Sequence, residues 1–161
     1  EPFDMQKERI EIAFFFGHGV WPRAECIKLL DEEVVPVCAP DVMSQTDVND
    51  PLALTQMILL QVSTRPEAWH DWFEAQHLYT EHSYHGPRFD TFYMSLRAAR
   101  AGCGVALVPR FLAQEELDEG KLVIPWQFSL NSQDAYYMAY PEHMADLHKV
   151  KSFTEWIKAR L

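Results

Sequence analysis

Phe89-Asp90-Thr91-Phe92-Tyr93-Met94-Ser95-Leu96-Arg97-Ala98-Ala99-Arg100-Ala101-Gly102-Cys103-Gly104-Val105-Ala106-Leu107-Val108-Pro109 is the stretch on which the fold turns. Asp90 or Thr91 supplies a side-chain oxygen that can cap a helix, and Phe92, Leu96 and Ala99 then recur at helical spacing. Gly102 and Gly104 break that helix, and Val105 to Val108 is an apolar run closed by Pro109, which reads as a buried strand. With a short strand from Pro87 to Phe89 in front, the pattern is strand, helix, strand within about 25 residues, the mark of a parallel α/β unit.

The same alternation continues outward. Ile10 to Phe16 reads as a buried strand stopped by the Gly17-His18-Gly19 turn, and Cys26 to Leu30 and Val34 to Cys38 read as two further strands, the second ending near Pro40. Pro51 to Thr55 is expected to be a brief helix and Met57 to Val62 a strand stopped by Ser63-Thr64-Arg65-Pro66. Pro66 and Glu67 suit a first helical turn, and Trp69, Trp72 and Phe73 then fall on one face. Gln76 to Pro87 is polar and reads mainly as a loop. Beyond Pro109, Phe111 to Glu119 is expected to be a helix closed by Gly120, Leu122 to Trp126 a strand, and Tyr136 to Tyr140 an aromatic strand ending at Pro141. Leu147, Val150, Phe153, Ile157 and Leu161 form the stripe of a closing helix capped by Asp146. No helix directly joins the strands Val34 to Pro40 and Tyr136 to Pro141 to their neighbours, so they are candidates to bridge two lobes.

Composition sets the outer limits. Among 161 residues, 14 Lys and Arg face 24 Asp and Glu, a formal charge of −10. With no basic run longer than isolated pairs, the chain lacks the positive field that gathers a phosphate backbone, so it is not expected to hold nucleic acid itself. Cys26, Cys38 and Cys103 are odd in number and without CxxC spacing, which disfavours a disulfide framework and suits a reducing cytoplasm. The longest nearly uncharged stretches are strand-length, far short of the roughly 20 apolar residues that cross a bilayer. The N-terminus, Glu1-Pro2-Phe3-Asp4, carries no charged-then-apolar export signal, although a signal cleaved earlier would leave no trace, and the missing initiator Met points to a fragment.

The chemistry-bearing motifs are sparse. His70, His77, His82 and His85 cluster, and His82 and His85 are three apart, but no Cys or paired carboxylate completes a ligand pattern, so the expectation is a solvated loop and no metal. Neither GxGxxG nor GxxxxGK[ST] occurs, which leaves no expected nucleotide cofactor, and no GxSxG, HExxH or spaced Ser, His and Asp set suggests an enzyme. Glu115-Glu116 and Asp118-Glu119 read as a solvated helix face. What remains are polar residues at strand-to-helix junctions: Ser63 and Thr64 before the Pro66 helix, Asp90 and Thr91 before the Phe92 helix. Open α/β sheets bind ligands at such junctions because free N–H groups and the helix dipole point outward there. Simple helix capping would call for the same residues.

Ile12-Ala13-Phe14-Phe15-Phe16-Gly17-His18-Gly19-Val20-Trp21-Pro22, followed by Leu30-Asp31-Glu32-Glu33-Val34-Val35-Pro36-Val37-Cys38-Ala39-Pro40, resembles the effector-binding domain of LysR-type transcriptional regulators. Arg65-Pro66-Glu67-Ala68-Trp69 with Trp72, then Phe89-Asp90, Ala98 through Pro109, Leu117 through Gly120 to Leu122-Val123, and Tyr136-Tyr137 with Pro141, Phe153 and Trp156 match the same family in order. The resemblance is strongest to the subgroup of the glycine-cleavage activator, the tryptophan-synthase-gene activator and the β-lactamase-gene activator. It implies an α/β fold like that of type 2 periplasmic binding proteins, with two Rossmann-like lobes joined by two crossover strands. Lobe I would be residues 1–36 plus 138–161 and lobe II residues 37–137. It also implies an N-terminally truncated domain, because the family places a strand and a helix ahead of Phe3 and a DNA-binding winged helix-turn-helix further upstream.

By position in the family, a small effector in the cleft between lobes would meet Phe16 and Gly17 from lobe I, Ser63, Thr64, Phe89, Asp90 and Thr91 from lobe II, and Tyr136 at the return crossing. Pro36, Val37, Cys38 and Tyr137 would form the hinge. Where this chain has Phe15, family members usually carry Arg or another polar residue. The implied function is the sensing of a small metabolite, an amino acid or other small anion, in a cytoplasmic homodimeric or tetrameric regulator that touches DNA only through its upstream domain. A solute-binding protein of a transport system would use the same lobes and would need an export signal upstream.

Overall fold

A computed structural model of the chain describes residues 4–5, 7–43 and 50–160. The elements in order are β1 (Ala13–Gly17), β2 (Ala24–Val37), α1 (Pro40–Met43), β3 (Leu59–Val62), α2 (Ala68–Glu74), β4 (Arg88–Phe89), α3 (Phe92–Arg100), β5 (Val105–Pro109), α4 (Arg110–Asp118), β6 (Leu130–Pro141) and α5 (His148–Lys158). Short 3-10 helices occupy Pro51–Gln56, Glu81–Tyr84 and Glu142–Met144. The chain forms two units, Glu1–Glu32 with Asn131–Leu161, and Glu33–Leu130. It passes between them twice, once along β2 and once along β6.

In the second unit β3 lies between β4 and β5 and runs parallel to both, while Val34–Val37 of β2 pair antiparallel with Pro109–Ala106 of β5. The strand-helix-strand reading of the Phe89–Pro109 stretch is therefore what forms. Both sheet faces are buried. Val34, Leu59, Val105 and Leu107 pack with Trp69, Trp72 and Phe73, while Val35, Val37, Leu60, Ala106 and Val108 pack with Leu96, Ala99 and Ala113. Burial on both faces explains why these strands read as continuous apolar runs with no alternation. Gly104 makes the turn into β5 possible: its φ is +149°, and a Cβ there would lie 2.2 Å from the Ile58 carbonyl oxygen.

In the first unit β1 and β6 are antiparallel, with Phe16 opposite Tyr136, Phe15 opposite Tyr137 and Ala13 opposite Ala139. One cluster joins Ala13, Ala139, Trp21 and Met5, and another places Met138, Tyr140 and Val150 against Ile12, Ile27, Leu29, Phe153 and Ile157.

Four expectations need correcting. Cys26 to Leu30 and Val34 to Cys38 are one 14-residue strand, β2, because the intervening Glu32 and Glu33 find hydrogen-bond partners and stay extended. Leu122 to Trp126 is not a strand: Val123 makes one isolated antiparallel bridge to Cys38, and Pro125, with no N–H, cannot extend it. The helix expected from Pro66 starts at Ala68, with Glu67 as its uncapped N-terminus. Asp146 does not cap α5; Leu147 occupies that position, and Asp146 pairs with Lys151 at 2.9 Å instead. Leu161, the end of the expected stripe, lies outside the described residues.

Candidate functional site

The polar residues expected to meet a ligand fall into one set on each unit. In the second unit the parallel pairing of β3 and β4 brings two strand ends together. The Ser63 N–H donates to the Phe89 carbonyl at 2.8 Å, and Ser63 Oγ donates to the same carbonyl at 3.1 Å and to Asp90 Oδ1 at 3.4 Å. Thr91 follows as the N-cap of α3, its Oγ1 accepting the Met94 N–H at 3.2 Å. Ser63, Asp90 and Thr91 are exposed and Phe89 is half-buried. Four of the five lobe II residues thus share one strand-end cluster. Thr64 stands apart: it is exposed in the turn after β3, its carbonyl accepts the Arg65 guanidinium at 3.1 Å, and it belongs to no helix N-terminus. Arg65 in turn lies over the Phe92 ring, 5.7 Å from its centroid.

In the first unit, Phe16 and Tyr136 face one another across β1 and β6 with ring centroids 5.0 Å apart. Gly17 closes β1 opposite Ala135, and the turn after it sets His18 Nδ1 2.5 Å from Asp134 Oδ1. Beneath Tyr136 is Glu32, only 2% exposed. Its Oε2 accepts the Tyr136 hydroxyl at 2.5 Å and its Oε1 accepts the Ser132 hydroxyl at 2.8 Å. Glu32 and Ser132 were not among the expected site residues. The available signal was an acid amid the strand residues Leu29 to Val37, which has to be bonded if it is buried.

Phe15 turns to packing. It stacks on Tyr137 at 5.5 Å and meets the Trp21 ring edge at 5.1 Å. Of the expected hinge residues, Pro36, Val37 and Cys38 are buried inside the second unit and Tyr137 lies inside the first. The passages between units fall at Glu32–Glu33 and Leu130–Asn131. Burial pushes the Cys38 thiol up to about 11. Glu33, next to Glu32 but in the second unit, is bound by both Nε and an Nη of Arg110, at 2.9 and 3.3 Å. A hydrogen bond from Ser129, and then Arg110, hold its carboxyl below the usual carboxylate range.

In the expected histidine loop the His82 and His85 rings meet edge to face with centroids 5.6 Å apart. The metal-type donors that do converge among the described residues are His70, Asp71 and Glu74 on α2, all within 4.8 Å of one another on an open surface where acidic groups commonly gather without an ion. A shallow groove of about 590 Å³ between Pro51–Gln56 and the segment Tyr79 to His82 contains none of the expected contact residues. No described helix is long and apolar enough to cross a membrane.

Comparison with known proteins agrees with this architecture. The family model described as the LysR substrate binding domain matches residues 1–161. The glycine cleavage system transcriptional activator of Escherichia coli (strain K12) is 32% identical over 158 residues, 98% of this chain and 52% of that protein. The HTH-type transcriptional activator AmpR of Rhodobacter capsulatus is 30% identical over 154 residues, 96% of this chain and 52% of its own. The effector domain of the transcriptional regulator AmpR of Pseudomonas aeruginosa superposes with a TM-score of 0.84 at 26% identity, covering 98% of this chain and 75% of that domain. The chain spans about half the length of the curated relatives it matches.

Proposed function

The chain belongs to the LysR substrate-binding domain family, and from that premise we propose that it is the effector-sensing part of a transcriptional regulator, working without catalysis. The observation that carries this reading is the match of the whole chain to that family, whose similar members here are named as transcriptional activators and regulators. The same observation favours a regulator over a transport protein.

A small metabolite is the proposed effector. Its proposed contacts are Ser63, Thr64, Phe89, Asp90 and Thr91 in the second unit and Phe16, Gly17 and Tyr136 in the first. An anionic group would be met by N–H groups at the start of α3, where the helix dipole favours negative charge. Switching needs only that the metabolite bind one conformation better than another, and the shift it produces is bounded by that difference in affinity. With a formal charge of −10, DNA contact is assigned to a region of the protein outside this chain, in the cytoplasm and as a homo-oligomer.

Two experiments test the reading. The complete gene product should carry a helix-turn-helix upstream; an export signal there would overturn the regulator in favour of a transport protein. A thermal-shift screen of amino acids, aromatic acids and cell-wall peptides on the complete protein should raise the melting temperature with one class, as expected of a ligand that binds only the folded state. Thr91→Ala should then weaken that ligand by more than the roughly 1 kcal/mol loss of a cap, and unchanged affinity in calorimetry removes Thr91 from the site.

A further inference from the structure

We infer that Glu32 is a positioning residue, whose buried carboxylate fixes the Tyr136 ring in the orientation it offers to an effector; this rests on the reading that Tyr136 touches that effector. Glu32 is the last residue of the first unit on β2, and Ser132 and Tyr136 lie on β6, the returning strand of that unit. A carboxylate that is 2% exposed is costly to bury unless its oxygens are bonded, and each of these oxygens takes one hydroxyl. The 2.5 Å bond from Tyr136 lies in the short, charge-assisted range and the 2.8 Å bond from Ser132 is an ordinary hydroxyl bond, and both make a sharper demand on geometry than apolar packing does.

Beside Tyr136 the Phe16 ring is tilted at 54° with centroids 5.0 Å apart, an apolar contact that makes no demand on the Tyr136 hydroxyl. An apolar β-branched residue at position 32 would serve the strand equally well. What the carboxylate adds is direction: it ties the end of the Tyr136 side chain to β2 and ties Ser132, near the second passage between units, to the same point. Ser132 and Tyr136 lie four residues apart on β6, so both point to the same face, as a single acceptor beneath them requires.

The test is fluorine NMR of the complete protein labelled with fluorotyrosine, with the Tyr136 signal assigned by its loss in Tyr136→Phe. Glu32→Gln should shift and broaden that signal while leaving the signals of Tyr84 and Tyr140 in place, and Glu32→Asp, which keeps the charge but shortens the reach, should move it too. A Tyr136 signal of unchanged position and width in either folded variant overturns the inference.

The free amino acids, titrated one by one in calorimetry, provide the functional arm. For any that binds, Glu32→Gln and Tyr136→Phe should each weaken affinity about tenfold and the double variant no further, since residues acting through one contact are non-additive. A double variant weakened about a hundredfold would mean independent action and would overturn it. If no amino acid binds the wild type, the amino-acid form of the effector reading loses its support, and the Tyr136 signal still decides the role of Glu32.

Discussion

The two units hold their aromatic residues in opposite ways. In the second, Trp69, Trp72 and Phe73 come from one seven-residue helix, are at most 1% exposed, and touch one another within 6 Å. Both indole N–H groups are satisfied, Trp69 by the Leu60 carbonyl at 3.0 Å and Trp72 by the Phe128 carbonyl at 3.1 Å. In the first unit, aromatics meet across strands distant in sequence, Phe16 with Tyr136 and Phe15 with Tyr137, and Phe14 and Trp156 remain 55% and 49% exposed. A core made by a local helix is sensitive to the loss of volume. One made by cross-strand pairs is sensitive to register, and a single truncation at its exposed margin removes little.

The largest effect follows from that contrast. Trp72→Ala empties a fully buried site and orphans the Phe128 carbonyl, so it should cost about 4 kcal/mol. Trp156→Ala in α5 gives up a half-exposed ring and its contact with Arg160, and should cost below about 1 kcal/mol. Urea unfolding of both variants decides the matter; equal losses would erase the distinction between the units. Gly104→Ala is next, at about 3 kcal/mol, because it combines an unfavourable φ with a Cβ driven into the Ile58 carbonyl oxygen. A melting temperature within a degree or so of wild type would mean that β3 and β5 can separate enough to admit the methyl.

The same contrast explains what could be read from sequence. The second unit is built from short neighbouring pieces, and its cap at Thr91, stripe at Phe92, Leu96 and Ala99, and break at Gly102 each speak for themselves. The first unit depends on pairing residues 13–17 with residues 135–139, and nothing local announces that register. The charged Asp31-Glu32-Glu33 step looked like an interruption between two strands because its compensation is remote: Ser132 and Tyr136 for Glu32, Arg110 for Glu33. Ser63, Asp90 and Thr91 were legible as polar residues at strand-to-helix junctions, because strand ends beside helix starts have a recognisable grammar. Glu32 was not, because a buried acid is indistinguishable from an exposed one until its partners are known.

Helix starts extend the comparison. Thr91 is an extended residue whose Oγ1 accepts the Met94 N–H, so Thr91→Ala should cost about 1 kcal/mol in urea unfolding. Asp146 precedes the start of α5 by two residues and is 98% exposed, bonded only to Lys151. Asp146→Ala should leave stability unchanged, and a loss matching that of Thr91→Ala would show that Asp146 caps α5 in solution.

The smallest effect separates the adjacent acids at the first passage between units. Glu33 carries a carboxyl lowered first by Ser129 and then by Arg110, with its side chain 37% exposed and that of Arg110 36% exposed. A lowered carboxylate value stabilises the folded state fully above the unfolded value and loses that stabilisation as pH falls through the lower, folded value. Stability measured downward from neutral pH should therefore decline below the ordinary glutamate range, by a fraction of what a buried pair would give, because solvent screens an exposed one. Ser129→Ala should flatten this decline more than Arg110→Gln, since the serine is the larger cause. The opposite order would make the guanidinium the dominant partner, and Glu33 would then be held chiefly by an ion pair, where Glu32 accepts the hydroxyls of Ser132 and Tyr136.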